Sequence, residues 1–187
     1  VVFLYSPNMT YLDSFRNTLS KMREMGVDAM LHISDDEYGL NTPENLQHIT
    51  KLDDIIDAYR TTNDIEWLHL YGGESIPSLP FLVPGETRKI NDVNFYKYDS
   101  TDFKNANIYS WNYGVYIAKI DFLLNIFSMQ LPTDAWNIEL ALKNLFDCNG
   151  FTRWGTECII FKASNMNGIN ITKSGLETNL RRFFGGC

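Results

Sequence analysis

The residues of this chain best suited to chemistry are three consecutive carboxylates, Asp35, Asp36 and Glu37, which follow directly on the apolar stretch at residues 27–33. In an open α/β sheet, ligands sit beyond the carboxyl ends of the strands. Clustered carboxylates there supply the hard oxygen donors that Mg2+ or Mn2+ prefers, and such a cation can also bridge substrate phosphates. Asp35 and Glu37 are two residues apart, so on an extended chain they project to the same side. The same triplet also fits a solvated strand-to-loop junction, because acidic runs are common on surfaces. Asp134 is a second acid, at a loop-to-helix junction much later in the chain. One acidic group that holds a metal and another that accepts a proton make a workable division of labour. Locally, Asp134 also reads as a helix N-cap, and the two roles are compatible.

Other chemistries find less support in the sequence. It has no Gly-x-Ser-x-Gly nucleophile elbow, no phosphate-binding P-loop and no Gly-x-Gly-x-x-Gly fingerprint. Of the three histidines, His32 and His69 fall in the middle of strand patterns and read as core or barely exposed residues, while His48 falls in a helical pattern. Gly72-Gly73 reads as a turn that ends a strand. Cys148, Cys158 and Cys187 are odd in number and lack Cys-x-x-Cys spacing, which argues against a disulfide framework or zinc site and for a reducing, cytoplasmic compartment. The sequons at Asn8 and Asn170 would matter only after secretion.

The elements that must position the acids can be read from periodicity. Residues 1–5 form a short apolar run bounded by Ser6-Pro7-Asn8, as a buried strand would. Thr10 offers an N-cap, with Asp13 three residues on. Leu12, Phe15, Leu19 and Met22 then follow at helical spacing, and Gly26 stops the helix. A strand at 27–33 completes a strand-helix-strand unit, which implies a parallel pair with a right-handed crossover. Thr42-Pro43-Glu44 starts a second helix that continues to about Arg60, and a third strand spans 67–71. Residues 74–102, broken by Pro77, Pro80, Pro84 and Gly85, read as a long irregular excursion with a hairpin around Gly85 and a short strand at 93–98. Such an excursion suits a lid or binding loop, and a surface meander equally. A strand within 107–118, a helix over 119–129, a helix from Thr133 or Asp134 to about Phe146, a strand at 158–161 and a helix at 176–184 complete the pattern. The expected architecture is one α/β domain over 1–187, in three layers, with a central mostly parallel mixed sheet flanked by helices.

Composition agrees with a packed domain: 44% of residues are hydrophobic and 14% aromatic. A net charge of -7 disfavours a general nucleic-acid surface and anionic lipid as partners. No window is apolar enough to span a membrane, and residues 1–5 lack the basic flank of a signal peptide. The absent initiator Met suggests a piece of a longer protein.

Ser14-Phe15-Arg16-Asn17-Thr18-Leu19, the helix to Gly26, and then Met30-Leu31-His32-Ile33-Ser34-Asp35-Asp36-Glu37 resemble a segment of nucleotide-sugar glycosyltransferases of the GT-A fold. In that segment a helix leads into a strand ending in Glu-Asp-Asp or Asp-x-Asp. The family most similar is glycosyltransferase family 25, the lipopolysaccharide-biosynthesis type. Trp67-Leu68-His69-Leu70, Tyr113-Gly114-Val115-Tyr116-Ile117-Ala118 and Leu131-Pro132-Thr133-Asp134 occupy its later pattern in order, so the resemblance covers roughly residues 14–137. The run here reads Ser-Asp-Asp-Glu, a departure from the family's Glu-Asp-Asp. The resemblance implies that Asp35 and Glu37, with Asp36, hold Mn2+ or Mg2+ against a donor diphosphate, a UDP-sugar being favoured. It makes Asp134 the base for an acceptor hydroxyl on a saccharide or glycoprotein, with Trp111 and the 72–102 excursion on the acceptor side. A second alignment, with family 2, makes residues 1–5 the first nucleotide-binding strand. It implies that Tyr5, Ser6 and Asn8 touch the base and Asp35 or Asp36 the uracil or ribose. Two further functions stay open: a catalytically silent nucleotide- or sugar-binding module, and a metal-dependent phosphohydrolase using the same acids.

Overall fold

A computed structural model of the chain describes residues 8–32, 43–70, 85–99, 116–149 and 152–156. Its elements run in the order α1 (Tyr11–Glu24), β1 (Ala29–His32), α2 (Pro43–Arg60), β2 (Trp67–His69), β3 (Glu86–Ile90), β4 (Val93–Asp99), β5 (Tyr116–Lys119), α3 (Ile120–Phe127), α4 (Ala135–Asn149) and β6 (Thr152–Thr156).

Local chemistry sets the boundaries of α1. Thr10 Oγ1 accepts the Asp13 backbone N–H at 3.1 Å, and its hydroxyl donates to Asp13 Oδ2 at 2.7 Å, a variant of the capping box. At the other end, Gly26 N–H donates to the Arg23 carbonyl at 2.9 Å and Val27 N–H to the Met22 carbonyl at 3.0 Å, which is a Schellman closure. That closure needs a left-handed residue, and Gly26 supplies it with φ 74°. Pro43 is the first residue of α2, where its missing N–H costs no helical bond.

The strands form one six-stranded sheet in the order β1-β5-β2-β6-β4-β3. Among the described strands only β2 and β6 pair in parallel, and the other neighbouring pairs are antiparallel. The α/β class and the mixed sheet match expectation, whereas the mostly parallel character does not. β1 and β2 do point the same way, but β5 lies between them and runs opposite. Tyr116, Ile117 and Ala118 of β5 are all buried. A strand buried on both faces is apolar throughout whichever way it runs, so its direction leaves no trace in the pattern.

Alternation along the strands divides the core in two. On one face Trp67, Tyr116 and Ala118 join Leu12 and Leu19 of α1, Leu123 and Phe127 of α3, and Ile138, Leu142 and Phe146 of α4. On the other face Leu68, Ile117, Phe95 and Trp154 join Ile55, Ala58 and Tyr59 of α2. Helices therefore cover both faces, and the described elements stack in three layers.

Two segments depart from the sequence-based reading. The hairpin within 85–99 turns at Asn91-Asp92 rather than at Gly85. Both residues have positive φ, 48° and 64°, and Ile90 pairs with Val93, as a two-residue type I′ loop requires. The hairpin is also no surface excursion, because β4 pairs along its length with β6. Arg88 fastens it further, donating twice to Asp64 at 2.8 and 2.9 Å and lying 4.8 Å over the Trp154 ring. β6 itself was not anticipated, since Arg153 and Gly155 interrupt its apolar pattern. The strands expected at 1–5 and 158–161 and the helix at 176–184 lie outside the described residues.

Candidate functional site

β1, β2 and β6 run in one direction, so their carboxyl ends share one edge of the sheet. Three ring-bearing residues meet there in register. His32 closes β1, His69 closes β2, and Tyr116 opens β5 directly opposite both. The His32 and Tyr116 rings are stacked, with centroids 4.6 Å apart and planes 4° from parallel. His69 leans on Tyr116 at 6.0 Å and meets Trp67 edge-on at 4.2 Å. Phe15 of α1 closes over His32 at 6.2 Å and over Phe127 at 4.6 Å. Arg153 of β6 is only 4% exposed and lies 5.8 Å from the Trp67 ring centre.

Burial sets the protonation of two members of this row, His69 and Tyr116. His69 is fully buried, and desolvation together with the charges of Arg153 and His32 holds its pKa well below the usual histidine value. It is therefore a neutral imidazole at pH 7. Burial likewise pushes the Tyr116 phenol well above its ordinary value.

The start of α1 and the loop before α4 come to the same edge. Arg16 donates to the carbonyls of Phe127 and Met129, which ties α1 to the last turn of α3 and satisfies carbonyls a helix end would leave open. One turn earlier, Leu12 N–H donates to the Thr133 carbonyl at 3.3 Å. Asp134, the next residue, is exposed and caps α4. Its Oδ1 accepts the Asn137 backbone N–H at 3.0 Å and its Oδ2 the Asn137 Nδ2 at 2.9 Å. These bonds lower its pKa below the ordinary aspartate value. Two residues on, Trp136 is 73% exposed.

Of the candidate residues named from sequence, Asp134 and Asn8 fall in the described part. Asn8 precedes the Thr10 cap, is exposed, and holds φ 60°. Tyr5, Ser6, Asp35, Asp36, Glu37 and Trp111 lie outside the described residues. Among the described residues no three His, Cys, Asp or Glu side chains gather as a metal site would require. No described helix is long and apolar enough to cross a membrane.

The sequence reading missed Arg153 and Trp136. Nothing in the sequence marks Arg153, because its burial depends on β6 entering the sheet beside β2. Trp136 had a weak signal: it falls off the apolar face set by Ile138, Leu142 and Phe146. At the opposite edge of the sheet, Arg23, Asp28, Tyr59, Arg60, Lys119 and Asp121 help line a cavity of about 530 Å³. Its cations are engaged, Arg23 with Asp121 at 3.1 Å, Arg60 with Asp57 at 3.5 Å and Lys119 with the Asn63 carbonyl at 2.6 Å. No family model, no curated protein and no solved structure matches the chain.

Proposed function

We propose that the chain is a metal-dependent glycosyltransferase domain of the GT-A type that takes a UDP-sugar as donor and a saccharide as acceptor. The observation that carries this reading is the acidic run Asp35-Asp36-Glu37, which begins three residues after His32, the last residue of β1. β1 ends at the edge where α/β sheets bind ligands, and the start of α1 and the Thr133-Asp134 loop come to that same edge. The donor set of the run is all carboxylate oxygen, which fits Mg2+ or Mn2+ and not a softer metal. Asp35 and Glu37, with Asp36, would hold the ion. When bound, it would offset the negative charge that grows on the departing diphosphate. Tyr5, Ser6 and Asn8 would bind the base. Asp134 would accept the proton of an acceptor hydroxyl, and Trp136 would offer an exposed ring face to a sugar.

One observation favours the silent binding module as a second reading. Both Asp134 oxygens already accept bonds from Asn137, and a lowered pKa makes a carboxylate a poorer base at neutral pH. UDP release from UDP-sugars in Mn2+, with and without saccharide acceptors, separates the possibilities. Acceptor-dependent release that disappears in Asp35→Ala and Glu37→Ala, at nearly unchanged melting temperature, is the expected result. Donor hydrolysis to UMP and a sugar phosphate without any acceptor would indicate a phosphohydrolase, and no release with binding intact would indicate the module. Normal activity in both variants would remove the acids from the site.

A further inference from the structure

We propose that the His32–Tyr116–His69 row is an acid-sensitive latch that holds the carboxyl edge of the sheet closed at neutral pH and loosens it as the His69 imidazole gains a proton. Tyr116 sits between the two imidazoles, directly opposite each across the ladder, with His32 stacked on it at 4.6 Å and His69 tilted at 6.0 Å. Cross-strand pairs of this kind are what fixes one strand against the next. Here they fix β5 between β1 and β2, the two strands whose ends border the proposed ligand site.

The groups facing the row explain why a proton would be unwelcome. From α1 come Tyr11 and Phe15, and from α3 Phe127. From α4 comes Phe146, packed on Trp67 at 5.6 Å, while Glu139 and Lys143 of that helix are half-buried. From β4 comes Tyr98, opposite Arg153 of β6. The charges that act on His69 are those of Arg153 and His32. A protonated His69 would place a second cation in a buried layer that already holds the guanidinium of Arg153.

The sign follows from linkage. His69 is neutral in the folded protein, while the unfolded chain takes up its proton near pH 6.5. Below that value the unfolded state binds more protons, so stability falls as pH drops. For one proton the slope corresponds to a melting temperature lower by about 3 °C per pH unit in a domain of this size. Other histidines and carboxylates add their own slopes, so the wild-type imidazole is the direct probe.

The test is an NMR titration of the wild-type His69 imidazole, paired with melting temperature and amide exchange from pH 7.5 to 5. The expected result is a His69 signal that stays neutral through pH 6.5. Protection at Leu31, His32, Tyr116 and Ile117 should fall on acidification more than in α1. In His69→Gln the melting slope below pH 6.5 should flatten. A His69 signal that titrates near 6.5 without loss of protection would overturn the proposal. So would a folded His69→Gln variant with the wild-type slope. Should that variant not fold, the wild-type titration still decides.

Discussion

At Asp134 both carboxylate oxygens are occupied by Asn137, one by its backbone N–H and one by its side-chain amide. Asp134→Ala removes both acceptors and should lower the melting temperature by about 3 °C, as loss of an N-cap does. Asp134→Asn keeps an oxygen for the backbone N–H and should retain most of that stability. If Asp134 is the base, the Asn variant binds donor normally and loses transfer. Full transfer in the Asn variant would reduce Asp134 to a cap. The cap contribution also has a definite pH window. A lowered carboxyl pKa stabilises above the unfolded value of about 3.9 and is lost as pH falls through the folded one. That loss comes at lower pH than the histidine-linked one, so a melting profile separates the two.

Elements stand or fall on the two helix-covered faces of the sheet. α4 presents Ile138, Leu142 and Phe146 at intervals of four to the same cluster as Phe127 and Trp67. Leu142 is fully buried, and Leu142→Ala should destabilise by about 2–5 kcal/mol in urea denaturation. A cost within the range of exposed substitutions would show that α4 does not pack as described. Three of the described helices were legible in the sequence from their boundary signals, Thr10 and Gly26 for α1, Pro43 for α2 and Asp134 for α4. Sheet order was not, because pairing is a long-range property. Arg153 and Gly155 hide β6, and nothing local in Tyr116 to Lys119 reveals that the strand runs against both neighbours. The Asn91-Asp92 turn was missed for a different reason. Asn and Asp tolerate left-handed backbone, but the stronger cue of a Gly stood nearby at Gly85. For the candidate site, Asp134 could be found from its place between a Pro-containing loop and an apolar helix. The row of rings could not, since His32, His69 and Tyr116 are far apart in sequence and meet only through strand register.

For the whole molecule, a net charge of -7 sets an electrostatic condition on any anionic ligand. A nucleoside diphosphate approaches an acidic surface at a cost unless a cation intervenes. Arg16, Arg23 and Lys119, three described cations near the sheet edges, are already engaged with carboxylates or carbonyls. A carboxylate-held divalent ion is the economical way to reconcile this chain with a diphosphate, and it makes metal dependence the central claim. Calorimetric titration of UDP and UDP-sugars into the purified chain, first with Mn2+ and then with chelator, tests it most directly. Binding in Mn2+ that vanishes with chelator is the expected result. Binding that survives the chelator unchanged, or no binding of any nucleotide in either condition, would contradict it.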